Sequence, residues 1–238
     1  MARIGIVQTR GIGDIVIALP IAAAFAQRGD TVYWPVNAPF ITFLAPAAPW
    51  VNFIPVPPEA EKTQRRDYYF GIPRAELEAR DCDEVFVLYS SWEEPGYIQN
   101  ERLAQFLKFD EYKYAVAGIP FREKWNLKLE RDRAREARFF DSLGIEREFI
   151  CVHRTATGFV AQVTITDEWR RDYQLVEIDE RGTPFDWLTT MERAAKLVMV
   201  DSCFANLAEQ LNLPNEKYLL LRAPGPFTPV LKNGWQFL

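Results

Sequence analysis

The chain has 238 residues, with 28 Lys+Arg against 33 Asp+Glu, one His, three Cys and 48% hydrophobic residues. That is one large domain or two small ones with a real core, and the hydrophobic content excludes a disordered chain. A net charge of −5 disfavours a phosphate-backbone partner, and the lone His153 excludes a multi-histidine metal site. Cys82, Cys151 and Cys203, far apart and without C-x-x-C spacing, encode neither a disulfide framework nor a zinc centre.

Taken in chain order, Arg3–Thr9 reads as a strand and Ile15–Gln27 as a helix stopped by Gly29. Thr31–Val36 is a second strand and Val51–Val56 a third, within a Pro-rich passage at 35–58 otherwise read as loop. Glu84–Tyr89 is a fourth strand, followed by a helix near Ile98–Phe109. Continuous apolar strands alternating with helices predict a parallel sheet covered on both faces. Asn126–Ser142, rich in Arg and acids and closed by Gly144, reads as a solvated helix between two units.

The pattern then restarts. Phe149–His153, Tyr173–Ile178, Leu197–Val200 and Tyr218–Leu221 read as strands, with helices at Leu188–Ala195 and Phe204–Leu211. A second Pro-rich loop at 223–229 leads into an aromatic tail, Pro224-Gly225-Pro226-Phe227 through Trp235, expected to pack down. The expectation is therefore an α/β chain of two units, 1–120 and 121–238. The opening strand does not read as a signal peptide, and the longest apolar stretch, Ile15–Ala26, is shorter than the ~20 residues a spanning helix needs. A cytoplasmic protein is expected.

Two turns carry candidate chemistry. The first, Gln8-Thr9-Arg10-Gly11-Ile12-Gly13-Asp14, begins like a dinucleotide fingerprint, but Val16 holds the third glycine position and no G-K-[ST] follows. It leaves the first strand at the carboxyl end, where open α/β sheets bind ligands, and its glycines allow close backbone approach. Asp14 has two readings: N-cap of the following helix, or general base at the mouth of a cleft. The second turn runs from Leu197–Val200 through Asp201-Ser202-Cys203-Phe204 into a helix, presenting amides and a hydroxyl suited to a phosphate; a plain capping turn fits the same residues.

Together these turns resemble glycosyltransferase family 9, the ADP-heptose:lipopolysaccharide heptosyltransferase-like proteins. Strand Ile4–Val7, the pair Gly13-Asp14 and a helix with Pro20 match the family's opening. Met191–Leu213, with Asp201-Ser202 and Ala205-Asn206-Leu207-Ala208-Glu209, is similar to its D-[ST]-G-x-x-H-L-A segment. Cys203 replaces the family's glycine and Asn206 its histidine, and His153-Arg154-Thr155-Ala156-Thr157-Gly158 stands where a P-G-[AS] loop belongs. The chain thus resembles a short, divergent member.

The resemblance implies a GT-B-like fold, two Rossmann-like parallel-sheet domains facing across a cleft, with the acceptor on the first and the nucleotide sugar on the second. It implies a metal-independent, inverting glycosyltransferase that uses a nucleoside-diphosphate sugar and a glycan or other hydroxyl acceptor, without a cofactor. Asp14 would be the base. Asp201, Ser202, Cys203 and Phe204 would hold the diphosphate, His153 and Arg154 would add positive charge, and Gly11, Gly13 and Arg10 would line the acceptor side. For His153 a buried strand end satisfied by backbone is the other reading, and for Arg154 a surface ion pair.

Asp81-Cys82-Asp83 has a metal-binding D-x-D form but precedes its strand, and is read as a solvated turn. Gln64-Arg65-Arg66 with Arg74, near Tyr68, Tyr69 and Phe70, suits an acceptor or nucleic-acid surface, or a solvated loop whose aromatics pack back. Two alternatives to the leading function stand: a phage-type glycosyltransferase acting on modified DNA bases, and a non-catalytic nucleotide- or sugar-binding module.

Overall fold

The structure, a computed structural model, describes residues 1–92, 96–222 and 228–238. It divides into two units, Met1–Glu130 and Arg131–Leu238. The boundary falls beyond residue 120 because Phe121–Trp125 forms a short 3-10 helix that belongs to the first unit. Phe121 packs edge-on against Tyr114, and Lys124 forms a fully buried ion pair with Asp110 at 2.6 Å.

In the first unit β1 (Arg3–Val7), β2 (Thr31–Asn37), β3 (Val51–Val56) and β4 (Glu84–Val87) form a parallel sheet in the order β3-β2-β1-β4. The chain between β1 and β2 is α1 (Ile12–Gln27). Ten of its sixteen residues are buried, so it is a central helix, apolar all round. It starts three residues earlier than its apolar run predicts and continues through Pro20, which cannot donate to the Val16 carbonyl. Gly29, in the left-handed region at φ 88°, closes it.

The passage expected as loop holds α2 (Ala38–Ala47). Pro39 sits in its first turn, where a missing N–H leaves no bond unmade. Pro35 is tolerated in an interior strand because it lies beyond the β1–β2 ladder, which spans Thr31–Tyr33 of β2. Residues 60–78 are also helical: α3 (Ala60–Thr63), a π-helical turn Asp67–Gly71, and α4 (Ile72–Glu78). The helix expected near Ile98–Phe109 is two, α5 (Glu101–Phe106) and α6 (Phe109–Val116).

The second unit opens with α7 (Arg133–Ser142), shorter than the charged run suggested. Arg131, just before it, bonds Glu136 and Glu192. Then come β5 (Phe149–His153), a small hairpin of β6 (Thr155–Ala156) and β7 (Phe159–Val160), α8 (Asp167–Asp172), β8 (Gln174–Glu177), α9 (Leu188–Arg193), β9 (Lys196–Val200), α10 (Cys203–Gln210), β10 (Glu216–Leu220) and β11 (Trp235–Phe237). The sheet is parallel in the order β11-β10-β9-β5-β8.

All five residues of β5, and four of five in β9 and β10, are buried, the mark of strands covered on both faces. Strand β11 escaped the sequence pattern because it is three residues long. The Glu209 carboxylate holds the approach to it, accepting from the Lys232 amide and the Trp235 indole at 2.8 Å each. Of the expected loop at 223–229, residues 223–227 lie outside the described residues, as do Pro224–Phe227 of the aromatic run.

Candidate active site

Each sheet has one place where the connections leave a central strand in opposite directions, and crevices open there at the carboxyl ends. In the first unit it lies between β1 and β4. The residues beyond β1 are Gln8, Thr9, Arg10 and Gly11, and those beyond β4 are Leu88 and Tyr89. The Thr9 amide donates to the Tyr89 hydroxyl at 2.7 Å, which ties the two loops together. Burial drives the Tyr89 phenol far above its ordinary value, so it stays protonated.

Gly11, at φ 81°, is the N-cap of α1, which places Asp14 at the third helical position and removes the capping reading for it. The Asp14 carboxylate folds back over Gly11 so closely that a Cβ there would lie 2.6 Å from its Oδ2. Its partner is Lys113 of α6. The Lys113 ammonium, 2% exposed, lies 3.0 Å from Asp14 Oδ1, 2.8 Å from Gln8 Oε1 and 3.0 Å from the Leu88 carbonyl. Asp14 keeps 37% of its side-chain surface. The result is a carboxylate held from behind by a buried lysine and open in front. Gly13 lies within the first turn of α1, and Arg10, expected as a free cleft cation, is paired with Glu61 of α3.

Beside this loop the π-helical turn buries Tyr68 and Phe70 and carries a cavity of about 450 Å³. Arg65, Arg66 and Arg74 line it with Asp67, Phe70 and Tyr97. Arg66 stands over the Tyr97 ring at 4.7 Å and Arg65 over Trp92 at 5.3 Å. The basic-aromatic segment is therefore helical and pocket-forming in place of the expected loop, while its aromatics Tyr68 and Phe70 pack back as expected and its arginines stay exposed.

In the second unit the corresponding point lies between β5 and β9, and it brings together three predicted residues, His153, Ser202 and Phe204. His153 ends β5, and its Nδ1 lies 3.0 Å from Ser202 Oγ, beyond β9. His153 Nε2 lies 3.2 Å from Thr155 Oγ1, and the ring packs edge-on against Phe204 at 4.6 Å. Burial pulls the imidazole down to about 4, against a smaller opposite effect of Glu177. His153 is therefore neutral at pH 7 and does not add the positive charge expected of it; desolvation is the reason. Arg154 is bidentate to Glu177 at 2.6 and 2.9 Å, the ion-pair reading.

Ser202 is the N-cap of α10 but makes no side-chain cap bond. The amides of Cys203 and Phe204 begin the helix and have no place in its ladder. Asp201 is buried, its amide donating to the Leu220 carbonyl at 3.2 Å. Cys203 is a free thiol raised to about 12 by burial, hence no thiolate. Asn206 donates from Nδ2 to the Ser202 carbonyl at 2.9 Å, bracing the turn.

The D-x-D segment lies at the amino end of β4. There the Asp83 carboxylate accepts from the Arg3 amide at 2.7 Å, and Asp81 takes φ 48°, both turn features. Among the described residues no group of three or more His, Cys, Asp or Glu is placed to hold a metal. No helix among them is long and apolar enough to cross a membrane.

No family model matches the chain, and no curated protein sequence matches it either. Solved structures do. Escherichia coli ADP-heptose lipopolysaccharide heptosyltransferase II superposes at TM-score 0.62 with 15% identity, over 100% of this chain and 90% of that one. A family 9 glycosyl transferase from Veillonella parvula superposes at TM-score 0.63 with 12% identity, over 100% and 86%. The chain has the heptosyltransferase fold. The iron-containing dodecameric glycosyltransferase TibC of enterotoxigenic E. coli superposes at TM-score 0.53 with 13% identity, over 92% of this chain and 58% of that one. The expected GT-B class, two Rossmann-like parallel-sheet units, is the observed one.

Lys113, Gln8, Tyr89 and Thr155 were not predicted as site residues. Lys113 lies on a short helix among acids and tyrosines, where a lysine reads as a solvent-facing charge. Only its burial marks it.

Proposed function

We propose that this protein is a metal-independent, inverting glycosyltransferase that moves a sugar from a nucleoside diphosphate to a hydroxyl acceptor. The observation that carries this reading is Asp14: an oriented, solvent-reached carboxylate at a sheet switch point, in a chain that follows the heptosyltransferase fold over its whole length. In the reaction Asp14 takes the proton of the acceptor hydroxyl as its oxygen attacks the anomeric carbon. The bond to the diphosphate breaks, and the diphosphate leaves with the electron pair. The Ser202 hydroxyl and the first amides of α10 supply hydrogen bonds to that leaving charge, a donor set that requires no metal.

The first-unit cavity suits a sugar acceptor, with the rings of Phe70 and Tyr97 as platforms for a sugar face and the Arg74 guanidinium beside them. The E. coli relative's name makes ADP-heptose the first donor to try. Turnover of ADP-heptose and a panel of other nucleotide sugars, with EDTA present, tests the reading. Turnover abolished by EDTA would remove the metal-independent mechanism, and failure of every nucleoside diphosphate to shift the melting temperature would remove the donor site.

A non-catalytic binding module is the second reading, favoured by one observation: the Asp14 carboxylate is already engaged by Lys113 at 3.0 Å. Nucleotide binding without turnover, unaffected by Asp14→Asn, is its signature.

A further inference from the structure

The switch point of the second unit contains a hydrogen-bond relay whose direction decides what it can bind. Both ring nitrogens of His153 face hydroxyls, Nδ1 that of Ser202 and Nε2 that of Thr155. A neutral imidazole has one N–H and one lone pair, so one hydroxyl must accept from the ring and the other must donate to it. Ser202 forms no cap bond to its own helix, so the direction of its bond with His153 decides where its proton points.

In the Nδ1–H tautomer the ring donates to Ser202 Oγ, Thr155 donates to Nε2, and the Ser202 proton is left for a ligand. In the Nε2–H tautomer Ser202 gives its proton to Nδ1 and presents only lone pairs. A diphosphate oxygen is purely an acceptor, so the second arrangement repels it and the first binds it.

We propose that His153 is a positioning residue that, as the Nδ1–H tautomer, turns Ser202 into a hydrogen-bond donor toward an oxygen of the donor's diphosphate. The inference rests on the reading of this turn as the diphosphate site. It assigns His153 a role other than the cationic one implied by the family resemblance. The ring carries no charge and transfers no proton; it sets the polarity of a neighbouring hydroxyl. Two features suit it to that task. The edge contact with Phe204 fixes the ring plane, and the nearby Glu177 carboxylate is offset by its bidentate Arg154 partner, which leaves little net charge to draw a second proton onto the ring. Linkage makes the relation reciprocal: anion binding favours the Nδ1–H tautomer by the same factor that the tautomer favours the anion.

Because the chain has a single histidine, full-length protein labelled with the heavy nitrogen isotope in histidine reports His153 alone by NMR. ADP serves as the probe. In the ADP complex Nδ1 is expected to carry the proton and Nε2 to be unprotonated. By calorimetry His153→Phe and Ser202→Ala are each expected to weaken ADP binding by about tenfold, as for one oriented hydrogen bond to a charged group. The double variant should bind no more weakly than either single one, since the two residues act as one donor. His153→Asn, which can place an amide N–H near the Nδ1 position, should recover most of the affinity.

An Nε2–H tautomer or an imidazolium in the complex, or additive losses in the double variant, would overturn the proposal and leave the donor site standing. Wild-type protein that does not bind ADP would remove the donor site and this inference with it. If His153→Phe does not fold, the wild-type spectrum decides alone.

Discussion

Asp14→Asn separates catalysis from stability at one atom. The substitution keeps shape and leaves Gly11 as the N-cap of α1, so capping is untouched. It removes a negative charge 3.0 Å from the Lys113 ammonium. Coulomb's law at that distance gives about 1.4 kcal/mol in a water-like dielectric and about 5.5 kcal/mol at an effective dielectric of 20. Solvent reaches Asp14, which is 37% exposed, so the lower end applies, and a loss of about 1.5–2 kcal/mol is expected.

For a unit of this size that is a melting-temperature drop of about 3–8 °C, and the drop should shrink in 1 M salt, where screening extends over only about 3 Å. Lys113 keeps its bonds to Gln8 and Leu88, so the fold survives. Turnover should fall by about 10²–10⁴-fold, the ordinary contribution of a general base. The assay is paired: thermal unfolding at low and high salt, and sugar transfer on the same preparation. Turnover within about tenfold of wild type would refute the base assignment. An unchanged melting temperature at low salt would refute the ion-pair argument.

Three further outcomes follow from the geometry. His153 has its folded-state pKa depressed from 6.5 to about 4, so its stability contribution is full above pH 6.5 and is lost as pH falls toward 4. That loss is about 3 kcal/mol at most, and chemical denaturation across that range should show it in wild type and a flatter profile in His153→Phe. Gly11→Ala forces a Cβ into the left-handed region and against the Asp14 carboxylate, so urea unfolding should show a loss of about 1–3 kcal/mol, with turnover reduced as Asp14 is displaced. Lys124→Met strips a fully buried Asp110 of its ammonium partner, and a destabilisation of about 3–5 kcal/mol is expected by the same measurement. Lys124→Met combined with Asp110→Leu should recover most of it.

The strands were legible because their apolar runs are local and buried on both faces: Val51–Val56 and Phe149–His153 fall where the pattern put them. The two turns were legible because Gly-Asp and Asp-Ser after an apolar strand are short-range signals. The helix at 38–47 was not, since proline suggests loop unless its position within a helical turn is known, and the helices within 60–78 were not, since short charged and aromatic runs carry no helical period.

By itself, then, the sequence determined two α/β units, their strand order in time, and the carboxyl-end turns that carry Asp14 and Ser202. Tertiary structure alone decided the state of those residues. Lys113 reaches the first turn from 105 residues beyond Gln8, and Ser202 lies 49 residues from His153. Charge, tautomer and ion pairing depend on what surrounds a group in space and how far water is excluded from it. None of these is encoded in any local spacing, which is why the sequence leaves His153 between a cleft cation and a buried strand end, and the fold makes it a neutral, doubly hydrogen-bonded ring.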